Sequence, residues 1–117
     1  MLGLTDDLGN VFAYLYRNLI IDKDNHQVKG IVLGNCVYSI EGKMVGKFVR
    51  DFLYTIKGEI AARRQLKMEK ESLIHNVTEL YNQAWNIILK VKNHIAPWIE
   101  PTGRWSDLRL PEILVKK

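Results

Sequence analysis

Two stretches decide the fold: Val37-Tyr38-Ser39-Ile40-Glu41-Gly42-Lys43-Met44-Val45-Gly46-Lys47-Phe48 and Leu53-Tyr54-Thr55-Ile56-Lys57-Gly58-Glu59-Ile60-Ala61-Ala62-Arg63. They are one phrase written twice. Tyr38 to Tyr54, Ile40 to Ile56 and Gly42 to Gly58 are each 16 residues apart. Upstream, blurred copies run from Gly9 to Asp22 and from Asn25 to Tyr38, where Val11 to Val28, Val28 to Val45 and Asn18 to Asn35 are 17 apart. The register is thus defined to within one residue. A fixed period of this kind marks a repeated structural unit.

Each copy carries two turn signals. One set is Arg17-Asn18, Gly34-Asn35 and Arg50-Asp51; the other is Asp22 to Asn25, Glu41-Gly42 and Lys57-Gly58. Gly, Asn and Asp tolerate the left-handed conformations that hairpin turns demand. Between the turns lie short runs rich in Val, Ile, Tyr, Phe and Leu, which suit strands. The pattern predicts an up-and-down antiparallel meander of about seven short strands over 10–15, 19–22, 27–32, 36–40, 43–48, 52–56 and 59–63. Ala13, Gly30, Gly46 and Ala62 recur at one place in the unit, which is expected where a neighbouring strand passes closely. Tyr38 and Tyr54 recur as well. They are expected half-buried with a wet hydroxyl, or else as a surface on which bases stack. An open meander also leaves two strand edges unpaired, which favours self-association.

The rest of the chain is read from what it lacks. Seven of the eight glycines lie between Gly3 and Gly58, and the three prolines are Pro97, Pro101 and Pro111, so residues 64–96 contain neither breaker. Within them Leu66, Leu73, Val77, Leu80, Ala84, Ile88, Val91 and Ile95 fall at steps of three, four or seven, the period of an amphipathic helix. Ile74, Tyr81, Trp85 and Ile87 widen that stripe. A helix of this length spans about 45 Å, against about 17 Å for a five-residue strand. It should therefore break near Ser72 to Asn76 or project, and pack on the β zone or on a second copy. Pro97 ends it. In the tail, Trp98 and Trp105 are expected to clamp the chain onto the body across Glu100 to Arg104, with Leu108, Leu110, Ile113 and Leu114 forming a short docked element. The expectation is one α+β domain over 1–117: β-hairpin repeats over 9–63, a long amphipathic helix over 64–96 and a docked tail over 97–117.

Composition narrows the function. At 117 residues and 13.6 kDa, with 47% hydrophobic and 26% charged residues, the chain has the make-up of one globular domain. Cys36 is the lone cysteine, so a disulfide scaffold is excluded. No apolar run approaches the length of a membrane-spanning helix. Asp6 and Asp7 stand where a signal peptide needs positive charge, which favours the cytoplasm. The net charge of +4 is spread thinly, and the basic pairs are Arg63-Arg64 and Lys116-Lys117 only. That is weak support for a nucleic-acid footprint.

Catalytic signals are equally thin. His26, His75 and His94 have no metal-ligand spacing, and there is no phosphate-binding glycine loop. Cys36 reads as a small buried hydrophobe. Glu69, Glu71 and Glu79 read as solvated charges, and Asn76-Val77-Thr78 is a sequon placed mid-helix. No catalytic, cofactor or metal residue is assigned.

The repeated pattern at Val37-Tyr38, Gly42-Lys43, Val45-Gly46, Leu53-Tyr54 and Gly58-Glu59 resembles the four-fold β-flower domain, with a copy at Asn25 to Gly30 that has Asn25 where the others have glycine. PRC-barrel and YD/WG-type repeats are similar too. The resemblance covers residues 9–63 and implies a small bacterial domain of strand pairs with approximate internal symmetry. It implies no catalytic residues. The leading expectation is therefore a non-enzymatic, cytoplasmic bacterial protein that binds a protein partner or itself. Its candidate surface is Tyr38, Tyr54, Trp98 and Trp105, with no cofactor and no membrane. One alternative is a nucleic-acid-binding protein using a basic β face. Another is an enzyme with a site between sheet and helix, using Cys36 and a histidine.

Overall fold

The structure, a computed structural model, describes residues 1–68, 77–91, 98–108 and 110–114. The strands are β1 (Leu2–Thr5), β2 (Val11–Tyr16), β3 (Leu19–Asp22), β4 (Val28–Leu33), β5 (Cys36–Ser39), β6 (Met44–Val49), β7 (Phe52–Thr55) and β8 (Ile60–Met68). Two helices follow, α1 (Val77–Lys90) and α2 (Leu110–Leu114). Every strand is antiparallel to its neighbours in sequence. β8 returns to pair with β1 through Leu2↔Met68, Leu4↔Arg64 and Thr5↔Arg63, closing a barrel.

The seven expected strands are present, each beginning within one residue of its expected start. Two expectations are corrected. The sheet has eight strands and no open edge, because the Leu2–Thr5 strand fills the gap between β2 and β8. Self-association through sheet edges therefore loses its basis. Residues 64–68, expected as helix, extend β8, since β1 supplies a hydrogen-bonding partner along that stretch. The described helix is Val77–Lys90, about 21 Å long at 1.5 Å per residue. The helix ends at Lys90, with Val91 already outside it, short of the expected end at 96; the expected break at Ser72 to Asn76 and the residues 92–97 lie outside the described residues.

The repeat runs four times, each unit beginning one strand earlier than the sequence suggested. Each unit is two strands joined by a longer turn, and each turn opens on a side-chain acceptor: Asp6, Asp22, Ser39 and Thr55. The Asp6 carboxylate accepts from the Leu8 and Asn10 N–H groups, and the Asp22 carboxylate from Asp24 and Asn25. The Ser39 hydroxyl accepts from Glu41 and Lys43, and that of Thr55 from Glu59. The left-handed position of the turn is Gly9, His26, Gly42 and Gly58. His26, not Asn25, stands where the other units have glycine. Desolvation raises the Asp22 pKa, but the two backbone N–H donors, with Lys29 and His26 nearby, outweigh it and leave the carboxyl below its ordinary value.

Each turn is followed by a bulge. Leu4, Ile20, Val37 and Leu53 pair with Ala13, Gly30, Gly46 and Ala62, and the register slips one step further on. The extra residues are Phe12, Lys29, Val45 and Ala61. Bulges sharpen twist and bend a strand, which is what eight short strands need in order to close. The recurrent small residues are explained at the same point. A Cβ on Gly30 would lie 2.9 Å from the Tyr38 carbonyl oxygen, and one on Gly46 would run onto that of Tyr54.

The two-residue turns place Arg17, Gly34 and Arg50 at φ of 54°, 62° and 56°. Glycine holds this conformation without strain, and other residues at a cost of about 1–2 kcal/mol. A Cβ on Gly34 meets nothing within 4 Å, so the backbone alone decides there. Gly34→Ala should destabilise by about 1 kcal/mol, and Arg50→Gly should gain up to about 1 kcal/mol. Urea midpoints moving in opposite directions at unchanged slope are the check.

The apolar residues sort into an inside and an outside. Leu4, Ala13, Ile20, Val32, Val37, Phe48, Leu53 and Ala62 fill the barrel, and α2 adds Leu110, Ile113 and Leu114 to the same cluster. α2 thus stops the mouth at the long-turn end. On the outer wall, Leu19, Ile21, Val28, Ile31, Cys36 and Tyr38 lie under Leu80, Ala84 and Ile87 of α1. The Gln83 side-chain carbonyl accepts the Val28 N–H at 2.9 Å, tying the helix to β4.

Candidate interaction surface

The expected surface residues are scattered. Tyr38 is 2% exposed beneath α1, and burial, helped by nearby Cys36, raises the pKa of its phenol. Tyr54 is 9% exposed, covered by Ile99 with Trp105 packed alongside. Neither ring offers a face on which a base could stack. Trp105 lies on β8, where the chain runs parallel to Ile60: the Ile60 N–H donates to the Arg104 carbonyl at 2.6 Å and the Ser106 N–H to the Ile60 carbonyl at 2.8 Å. Trp98 does not clamp anything. It is 82% exposed, with its indole N–H donating to Glu100 at 3.1 Å, and the neighbouring Ile99, 5% exposed, is the real anchor. The tail is also pinned by Thr102, whose N–H and hydroxyl both donate to the Gly58 carbonyl.

Cys36 is buried under α1. His26 sits in the β3–β4 turn, its ring edge-on to Tyr14 at 6.4 Å. His75 and His94 lie outside the described residues. Among the described residues, no three His, Cys, Asp or Glu side chains converge on one point.

Two places remain where the surface has a shape or a chemistry to use. The first is the barrel mouth. α2 leaves a cleft of about 410 Å³ between itself and the β7–β8 turn, lined by Val45, Thr55, Ile56, Glu59, Asp107 and Leu108 among others. A smaller one of about 210 Å³ lies beside Phe12, Lys29 and Leu114. Their polar groups are mixed in sign and point to no single ligand class.

The second is the outward face of α1. This helix buries Leu80, Ala84 and Ile87 against the barrel, which is the stripe an amphipathic helix needs. It carries another on the far side. Tyr81, Trp85 and Leu89, one turn apart in succession, are 42%, 59% and 67% exposed. The described helix has one acid, Glu79, in its first turn and one base, Lys90, in its last, with no charge between. Arg17, on the β2–β3 turn, donates to the Tyr81 hydroxyl and lies 5.2 Å from the Tyr16 ring centroid and 5.8 Å from that of Tyr81. That contact fixes the near end of the stripe.

The chain matches no protein-family model, no curated protein and no solved structure. The surface has to be read from its own chemistry. Isolated exposed apolar side chains are ordinary, but three on consecutive turns form a contiguous patch of the sort that marks an interaction site.

Sequence reasoning placed Tyr81 and Trp85 on the buried stripe and left Leu89 out. The signal was available. Leu80, Ala84 and Ile87 form one helical series, and Tyr81, Trp85 and Leu89 form a second one residue on. A helix that covers a barrel wall requires only the first.

Proposed function

We propose that this chain is a non-enzymatic interaction module that self-associates through the outward face of α1. One observation carries the reading: a helix already satisfied on its buried side presents Tyr81, Trp85 and Leu89 to solvent. Trp and Tyr are the residues that dominate the energetics of protein interfaces. The barrel is the scaffold that holds this face rigid, through the α1 contacts on Val28, Ile31 and Tyr38. The four hairpin units support kinship with β-flower-like bacterial domains, and a cytoplasmic location belongs to the same proposal. Among the described residues, no helix is long and apolar enough to cross a membrane.

Sedimentation velocity across the micromolar range tests the reading. The wild-type weight-average mass should rise with concentration above that of the monomer. Trp85→Glu and Leu89→Glu should remain monomeric with unchanged circular dichroism and melting temperature, since both side chains lie outside the core. A wild type that stays monomeric throughout, or variants that associate as it does, would overturn the reading.

A further inference from the structure

We infer that Arg64 is an anion-binding residue, holding one oxyanion group, carboxylate or phosphate, at the short-turn end of the barrel. The site lies inside the barrel and stands apart from the α1 face. It begins as a break in the repeat. The N–H groups of Val32, Phe48 and Arg64 donate to the Asn18, Asn35 and Asp51 carbonyls at 2.8, 2.8 and 2.6 Å, so the three residues hold one place in successive units. Leu15 follows Ala13 as Phe48 follows Gly46, and holds that place in the first unit. Val32 and Phe48 are buried in the barrel cluster, and Leu15 packs against it. Arg64 pairs with the fully buried Leu4, and its guanidinium carbon lies 4.8 Å from the Phe48 ring centroid, so it too turns inward. Three apolar side chains and one cation make up this layer.

Nothing among the described residues answers that charge. The Arg64 Nε is buried without a hydrogen-bond partner, and no described carboxylate pairs with the guanidinium. Asp51 offers its backbone carbonyl to the Arg64 N–H only. The residue as a whole is part-exposed, so its Nη groups are the end that solvent reaches. A half-buried charge without a counter-charge is costly. The Phe48 ring attracts the guanidinium but accepts none of its five N–H donors in the way an oxygen would. A leucine or valine would complete the layer as it does in the other units. A sequence that breaks its own pattern at such a cost does so where function needs it. The planar guanidinium fork matches the paired oxygens of a carboxylate or phosphate, and stacking on Phe48 fixes its plane. Arg50 and Asp51, both exposed in the adjacent turn, cancel one another, so the site rests on Arg64.

Titration of the full chain with sodium phosphate and, separately, with sodium acetate, at an ionic strength held constant with chloride, tests the site by NMR. The Arg64 Nε–H and the amides of Phe48 and Arg64 should shift along a saturating curve, with a Kd in the millimolar range that one charge-assisted fork supports. The tighter ion tells a phosphate ligand from a carboxylate one. Arg64→Leu should fold and lose the saturable shift at Phe48. Arg64→Lys, which keeps the charge without the fork, should bind at least about fivefold more weakly. Arg63→Leu removes the same charge from the outer face of β8, where Arg63 is exposed beside Phe52, and should leave the Kd unchanged. Shifts that stay linear with both ions, equal weakening by Arg63→Leu, or undiminished binding in either Arg64 variant would overturn the site. So would an Arg64→Leu chain that fails to fold, since the guanidinium would then belong to the packing.

Discussion

Gly46→Val is expected to destabilise the protein by at least about 3 kcal/mol, in the range reserved for substitutions that break packing outright. Gly46 does not have a positive φ, so its role is spatial. It pairs with Val37 on β5 and with Thr55 on β7, and a Cβ there runs onto the Tyr54 carbonyl oxygen with Leu53 Cδ1 at 3.3 Å. The oxygen belongs to the backbone at a bulge and cannot swing aside as a side-chain tip could. The barrel would have to open at β6–β7 or strain around its whole girth. At the equivalent position of the second unit, Gly30→Ala should be milder, since its Cβ would lie 2.9 Å from the Tyr38 carbonyl and 3.0 Å from Leu114. Ala13 and Ala62 already carry a methyl there, so replacing either by glycine should cost no more than about 1 kcal/mol. Urea denaturation of the four variants checks this order. Gly46→Val melting like wild type would show that the strands do not approach as described.

Leu53→Ala should cost about 2–5 kcal/mol, the usual toll for emptying a leucine-sized space in a packed interior. Leu53 is 1% exposed, lies opposite Ala62 and belongs to the cluster that fills the barrel. An eight-stranded barrel is just wide enough for its side chains to fill it, so the remaining methyls have little freedom to close the gap. Ile20 occupies the same place in another unit, is fully buried and should behave alike when changed to alanine. A domain of this size has about 5–15 kcal/mol in hand, so either change takes a large share of the total. Leu89→Ala, on the exposed face of α1, should stay within about 0.5 kcal/mol of wild type. A loss below about 1 kcal/mol at Leu53 would mean that the barrel interior is looser or wetter than its burial implies.

Much of the fold is legible in the sequence because turn residues carry it. Gly42 and Gly58 sit at φ of 79° and 84°, a conformation that the sequence advertises directly. The first unit is harder to see. Leu2–Thr5 precedes its only turn, and the left-handed place in the second unit is taken by His26, which disguises the register by one residue. Barrel closure is invisible locally, because Leu4 and Arg64 are sixty positions apart and nothing in either neighbourhood names the other. Arg64 to Met68 shows the opposite failing: a stretch without Gly or Pro permits a helix but does not require one, and a waiting strand edge claims it.

The interaction surface is only half legible for a related reason. Periodicity shows that Leu80, Ala84, Tyr81 and Trp85 share a helix, but the side that is buried depends on which wall of the barrel the helix meets. Gln83 at the Val28 N–H and Arg17 at the Tyr81 hydroxyl set that rotation. Trp98 illustrates the same limit in the tail, where Ile99, with no aromatic signal at all, is the residue that anchors.

The most direct test of the account is a dilution series followed by backbone amide NMR. If α1 is the surface through which the protein recognises its own copy, the concentration-dependent shifts should centre on Tyr81, Asn82, Trp85, Asn86 and Leu89, leaving Ile20, Val37 and Leu53 in the barrel unmoved. Shifts centred instead on the mouth at Leu8, Ile56 and Leu108, or no shifts at any concentration, would contradict it.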